Sequence, residues 1–274
     1  MYYYNDRQHY ESDRFGWQVR QENGFDWTEL EGPALNVFDP VIGPGLKLAA
    51  CAHNHGRISD PGAYVQTLAR HYESQGGTIM RAQVEDIVFQ QNQVTGIRTE
   101  GETLDCRAIV VATGAWSGKL MKCLGCSVPL EAERGYHIEL HEPNIMPKMP
   151  SMIAFGKFVM TPMDGRLRLA GVVEFGGLVA GASEAPIDFL KRHIHLAIPD
   201  LKWTETTQWL GHRPAPSDSV PVIGEAPGVK GAYIGFGHQH VGLTGGARTG
   251  QLLAQLISSG KTDIDLTPYR ADRF

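Results

Sequence analysis

The sequence predicts an α/β fold, mixed α+β in detail, in which a parallel, Rossmann-like part is interleaved with a mostly antiparallel sheet. Three observations predict it. Residues 108–112 (AIVVA) are apolar without alternation and end in Thr113-Gly114, as a strand buried on both faces of a parallel sheet does. From about Gly135 the pattern changes: YHIEL, KFVMTPMDGRLRLAGVVEF and TTQWLGHRPA alternate apolar and polar residues, the signature of antiparallel strands with one wet face. The C-terminal part, from VPVIG to LLAQLISSG, returns to strand, glycine loop and amphipathic helix.

The individual elements follow from local signals. In SDPGAYVQTLARHYESQGG, Asp60 is placed as N-cap and Pro61 as the first helical residue. Tyr64, Leu68 and Tyr72 share one helical face, and Gly76-Gly77 ends the element. TIMRAQVEDIVFQ follows as a strand with a bend, then QVTGIRT and ETLDCRAIVVATG as two more. Asp164-Gly165 is a hairpin turn signal. A helix starting at Ser183 puts Ile187, Leu190, Ile194 and Ile198 on one face before Pro199. GAYIGFG is a short strand, and helix periodicity resumes near Thr244, with Leu252, Leu253, Leu256 and Ile257 on one side and Gly260 at the end.

Composition excludes several functions. The 274 residues are 42% hydrophobic and 20% charged, an ordinary globular balance, enough for one large domain or two interleaved ones. The formal charge of −5 and the lack of a basic run argue against nucleic acid as a partner. No apolar stretch is long enough to span a membrane, and MYYYNDRQHYESDRFGW lacks the apolar core of a secretory signal. Four cysteines in a chain of this length suit a reducing cytoplasm rather than a disulfide framework. Cys123 and Cys126 form a CxxC, but Cys51 and Cys106 are isolated. A zinc site wants four ligands, so no metal is assigned, and His53 and His55 read as loop residues.

The chemically loaded stretch is GFGHQHVGLTGGARTG, residues 235–250. It lies between a strand end and a helix start. A helix N-terminus offers unpaired N–H groups and roughly half a positive charge, and glycines let a large planar or anionic group approach them. The Lys-Ser/Thr of a phosphate loop is missing, and no GxGxxG occurs in the chain. The pattern suits an electron-rich group such as a flavin ring; a glycine-rich helix-packing joint is the alternative. Thr113-Gly114 is a second candidate, because ligands sit beyond the carboxyl ends of parallel strands; a tight exit turn without ligand is its alternative. Arg213, at a strand end before a Pro-rich turn, has the planar fork that binds a carboxylate with two parallel hydrogen bonds; a surface ion pair is the alternative there.

The motifs ATGAWSGKL, PLEAERGYHIEL, GHRPAPSDSVPVIG and GFGHQHVGLTGGARTGQLLAQLI, in this order, resemble the D-amino-acid oxidase-like FAD-dependent oxidoreductases. The likeness runs from about Trp17 to near the C-terminus and is strongest to bacterial D-amino-acid dehydrogenases and related D-hydroxyproline dehydrogenases. The resemblance implies an FAD-binding part at residues 51–134 and 216–274 and a substrate-binding part at residues 1–50 and 135–215. It implies that Val84 lies against the FAD adenine, and that Gly114, Ala115 and Trp116 flank the cofactor. It implies that Gly237, His238, Gly242, Leu243 and Thr244 meet the flavin near N1 and O2. Arg213 would hold the substrate carboxylate, with Tyr136 and His137 approaching the substrate pocket.

The implied reaction is hydride transfer from a D-amino acid to flavin, then imine hydrolysis to keto acid and ammonia. Sarcosine, glycine and proline derivatives share the arginine and differ in pocket shape. The implied electron acceptor is a quinone chain or oxygen. The implied location is cytoplasmic, with any membrane contact peripheral at the inner face. The family's initial βαβ unit with GxGxxG has no counterpart here, so the Rossmann-like, FAD-binding part is incomplete. A truncated fragment, a subunit completed by another chain, or a non-catalytic carboxylate-binding or interaction module each accounts for that. The first is preferred, and with it poor solubility or obligate association of the isolated chain.

Overall fold

The computed structural model describes residues 1–274. The chain opens with β1 (Tyr2–Tyr4), α1 (Arg7–Ser12), α2 (Arg14–Glu22), β2 (Trp27–Glu31), α3 (Pro33–Phe38) and β3 (Leu48–Ala52). Next come α4 (Pro61–Ser74), β4 (Val84–Gln90), β5 (Gln93–Thr99), β6 (Thr103–Asp105), β7 (Ile109–Val111) and α5 (Ser117–Cys123). The middle holds β8 (Leu130–His141), β9 (Ser151–Ile153), β10 (Phe158–Met163), β11 (Arg166–Phe175), α6 (Ala185–Ala197) and β12 (Glu205–Pro216). The end holds β13 (Val222–Glu225), β14 (Ala232–Phe236) and α7 (Gly242–Ser259). The fold is mixed α/β. It divides into two compact units: Met1–Gln66, Gly135–Glu174 and Gly181–Gly211, and Thr67–Arg134, Phe175–Ala180 and His212–Phe274.

The first unit is built on an eight-stranded sheet of order β12-β8-β11-β10-β9-β1-β3-β2. β1 pairs antiparallel with β3 and parallel with β9, and β10 pairs antiparallel with β9 and β11. The alternation read in the sequence decides which face is inward. Tyr136, Ile138 and Leu140 of β8 are buried to 2% exposure or less. Phe158 and Met160 of β10, Leu167 and Leu169 of β11, and Ile187, Leu190 and Ile194 of α6 join the same core. Met163 pairs with Arg166 across Asp164-Gly165, and Gly165 takes a left-handed φ of 66°, which glycine alone adopts without strain. A smaller aromatic core gathers Tyr4, Tyr10, Trp17 and Trp27. Within it the Trp17 indole donates to the Tyr4 hydroxyl at 2.9 Å, and Tyr4 donates to Asp13 at 2.8 Å.

The outward residues of β8 carry charge and an imidazole. Glu139 pairs with Arg166 and Arg168. His137 stacks on Trp209 with centroids 5.0 Å apart. Burial, reinforced by the Arg168 charge and opposed by Glu139, pushes the His137 pKa down to about 4, so the ring is neutral near pH 7.

The second unit contains two three-stranded sheets, β13-β14-β7 and β4-β5-β6. β14 runs parallel to β7 in the register Ala232–Ile109 to Ile234–Val111, and antiparallel to β13. Its core joins Val111, Ile234, Phe236, Val222, Leu120 and Met121. α7 lies close on β14: a Cβ added to Gly235 would sit 2.8 Å from Leu253 Cδ1, so glycine at that strand position sets the helix–strand spacing.

Several elements differ from expectation for identifiable reasons. The strand expected from Thr78 begins at Val84, next to a register shift, and Ile79 and Met80 before it are exposed. ETLDCRAIVVATG divides into β6 and β7 because its halves join different sheets. Val110 is 45% exposed, so β7 is covered on one face only. α4 is capped by Asp60, whose Oδ1 accepts from Ala63 N–H at 3.0 Å, yet Leu68 and Tyr72 on its apolar stripe are 50% and 55% exposed. α6 starts at Ala185 rather than Ser183, because the Ser183 hydroxyl donates to Glu174 instead of capping the helix. α7 starts at Gly242, two residues earlier than its periodicity indicates.

Two outcomes test this account. Leu190→Ala removes a fully buried side chain and should cost about 2–5 kcal/mol, whereas Leu196→Ala, on the exposed side of the same helix, should cost less than about 0.5 kcal/mol; urea melts of both variants compare them. A folded-state pKa below the ordinary imidazole value means that the unfolded chain binds the extra proton. His137 should therefore lower stability as pH falls from about 6.5 towards 4, with no effect at higher pH, and the acid slope of urea-denaturation stability should be shallower in His137→Gln.

Candidate functional site at the strand ends of the second unit

Because β7 and β14 are parallel neighbours, their carboxyl ends open on the same edge of the sheet. β7 leads into Thr113 and the 3₁₀ turn Gly114–Trp116; β14 leads into Gly237, His238 and the 3₁₀ turn Gln239–Val241. The first turn begins with a left-handed glycine, Gly114 at φ 56°, and a second one, Gly237 at φ 86°, lies two residues before the other turn. At Gly237 a side chain is excluded twice, since a Cβ would also lie 2.7 Å from Pro216 Cγ. The two glycine stretches singled out in the sequence thus belong to one sheet edge, the place where open α/β sheets take ligands.

α7 adds its N-terminus. Its 18 residues start at Gly242, and no side chain caps the first turn, so the dipole and the first N–H groups are available to a ligand. Leu243 is 47% exposed, Val241 57% and Trp116 55%. An uncapped helix end with exposed apolar side chains in the same unit suits a large planar, electron-rich molecule. A cavity of about 710 Å³ is lined in part by Val84, Thr113, Ala115, Trp116, Lys119 and Lys122, which brings Val84 and the Gly114 turn to one wall.

His212 and Arg213 lie inside β12 (Glu205–Pro216) rather than at its end, because the strand continues through the Pro-rich segment to Pro216. The Arg213 Nη1 and His212 Nε2 atoms are buried without a hydrogen-bond partner. Burial holds the Arg213 guanidinium below its ordinary pKa, and only the Glu133 charge opposes this. A desolvated, incompletely paired guanidinium is costly unless a ligand anion completes it. Glu133 also pairs with His240 at 3.2 Å, and Trp116 meets the His212 ring edge-on at 5.5 Å. Sequence reasoning passed over Glu133, because an acid in an alternating strand carries no local sign of its partner. His238 Nε2 lies 2.8 Å from Thr249 Oγ1. Burial lowers the His238 pKa, which keeps its ring neutral.

Tyr136 and His137 belong to the first unit. The Tyr136 hydroxyl donates to Glu174 at 2.7 Å and accepts from Ser183 N–H at 3.0 Å. The CxxC cysteines turn to different partners. Cys123 bonds to Asp86, and burial together with that carboxylate pushes its thiol pKa up. Cys126 reaches the Leu124 and Pro227 carbonyls at 3.7 and 3.9 Å, and burial raises it too. Protonated thiols are poor nucleophiles and poor metal ligands. His53 bonds to Thr28, and His55 to the His53 carbonyl, so both serve the loop that carries them. No helix is long and apolar enough to cross a membrane.

Comparison with known proteins agrees with this architecture. A D-amino-acid oxidase from Bradyrhizobium diazoefficiens is 35% identical over 278 residues, an alignment covering 100% of this chain and 66% of the relative. A D-amino acid dehydrogenase from Allorhizobium ampelinum is 31% identical over 193 residues, 70% of this chain and 46% of the relative. This chain therefore spans just under two thirds of the first relative's length and under half of the second's. The crystal structure of glycine oxidase from Geobacillus kaustophilus has the same fold, with a TM-score of 0.90 at 22% identity over 100% of this chain and 74% of that one. The family model described as "FAD dependent oxidoreductase" matches residues 2–256, and the chain belongs to that family of flavoproteins.

Proposed function

We propose that this chain oxidises a small amino acid, a D-amino acid in the first instance, to the imino acid, which water converts to keto acid and ammonia. The observation that carries the reading is Arg213, a half-buried residue of β12 whose Nη1 atom is buried and unpartnered. A substrate carboxylate supplies the missing acceptors in a fork-to-fork pair.

The residues of the second unit fit the flavin side of FAD. The uncapped first turn of α7, with Gly242, Leu243 and Thr244, would take the electron-rich edge of the ring, and Gly237 and His238 would border it. Gly114, Ala115 and Trp116 would flank the cofactor, and Val84 would meet its adenine across the cavity they share. When bound, FAD supplies the hydride acceptor. The chain's own residues do the remaining work: Arg213 orients the amino acid, and the α7 N-terminus stabilises negative charge beside it. Tyr136 and His137 are proposed on the amino-acid side, and His137 is neutral near pH 7. The electron acceptor is proposed as a quinone chain or oxygen, with any membrane contact peripheral. The second reading is a carboxylate-binding module that does not hold FAD alone, resting on the same unpartnered Arg213 nitrogen.

The deciding measurement is the visible spectrum of the purified chain with added FAD. Perturbed flavin bands that bleach on addition of D-amino acids are expected; free-flavin absorbance that ignores substrate would leave the second reading, or a site completed by another polypeptide. In flavin-loaded protein, Arg213→Lys keeps the charge and loses the fork. It should raise KM for the amino acid roughly 10–100-fold, as loss of about 1.5–3 kcal/mol of charged hydrogen bonding requires, while the flavin spectrum stays as in the unaltered protein. An unchanged KM would remove Arg213 from the carboxylate site.

A further inference from the structure

Thr249 stands two turns inside α7, is 8% exposed, and has no part in the proposed chemistry. Its hydroxyl makes two contacts. Oγ1 lies 3.0 Å from the Gly245 carbonyl, as donor, and 2.8 Å from His238 Nε2. A hydroxyl has one proton to give. With that proton on the Gly245 carbonyl, Oγ1 faces His238 through a lone pair, and Nε2 must carry the hydrogen between them. The reverse assignment, in which Thr249 donates to Nε2, leaves two acceptor oxygens facing each other at 3.0 Å with no proton between them, which is repulsive.

The imidazole is fixed from other sides as well. A Cβ on Gly242 or on Gly245 would come to 3.4 Å from the His238 Cβ or Cδ2, so the ring lies against the bare first turn of α7. The backbone of His238 is held in the 3₁₀ turn by the Val241 N–H to His238 carbonyl bond of 2.9 Å. We infer that Thr249 is a positioning residue that holds His238 as the neutral Nε2–H tautomer, so that Nδ1 is kept as a lone-pair acceptor for an N–H donor of whatever ligand occupies the glycine loop. Burial, which disfavours the charged ring, acts in the same direction. The role given to Nδ1 rests on the reading that the loop after β14 borders the ligand; the tautomer does not. At that loop His238 contributes neither a proton nor a positive charge. The positive potential there comes from the α7 N-terminus.

The test is nitrogen NMR of protein labelled with ¹⁵N-histidine, recorded near neutral pH without flavin. His238 is identified by its disappearance in His238→Asn. A pyrrole-type Nε2 with an attached proton and a pyridine-type Nδ1 are expected. Thr249→Val should lose protection of that proton from solvent exchange and move both nitrogen shifts, and Thr249→Ser should restore them. A pyrrole-type Nδ1 in the unaltered protein overturns the inference, and so do His238 nitrogens that are identical in the unaltered and Thr249→Val proteins. Because flavin is absent, a negative result here leaves the flavin titration to decide the function separately.

Discussion

The parallel pairing of β14 with β7 is the constraint on which the second unit depends. The strands are 123 residues apart in the register Ala232–Ile109, so nothing local in either segment fixes the contact. Each strand then exits through its own left-handed glycine, and a shared direction places both exits on one edge. An antiparallel pairing would send Gly114 and Gly237 to opposite edges of the sheet. The hydrogen bonds of this pair therefore set the side on which both strands exit.

Glycine has a second task in this unit, which is distance. Gly235 lets α7 approach β14 to within contact of Leu253 and Thr249. That approach fixes where the helix begins relative to the strand end and brings the Thr249 hydroxyl under His238. The close packing of α7 on β14 is a consequence of one small side chain in one strand. The motif GFGHQHVGLTGG is thus a packing device at Gly235, and such a role does not exclude the proposed ligand role.

Charge is distributed unequally between the units. In the first, Glu139 answers both Arg166 and Arg168, and His137 is neutral; these groups are internally balanced. In the second, Arg213 keeps an unpartnered buried nitrogen with Glu133 as its only attractive charge, and Glu133 is shared with His240. A folded chain tolerates such an imbalance at a place where function requires it. The exposed apolar groups Trp116, Val241 and Leu243 border the same unit's ligand edge.

What the sequence by itself determined is the content of its elements. Alternation in β8, β10 and β11, the Asp164-Gly165 turn, the Asp60 cap, the α6 stripe and the Gly260 stop are all interactions within a few residues, and such interactions are written in the order of side chains. The left-handed turn at Gly237 was legible for a related reason: few residue types adopt that backbone. Tertiary structure decided the rest. Ser183 looked like a helix cap until Glu174 took its hydroxyl. ETLDCRAIVVATG looked like one strand until two sheets divided it. Leu68 and Tyr72 form an apolar stripe that stays exposed. The partners Glu133–His240 and Thr249–His238 could not be read at all, because a hydroxyl or carboxylate acquires its role from the atom it meets, and these meetings are made by strand pairing and helix packing between residues distant in the chain.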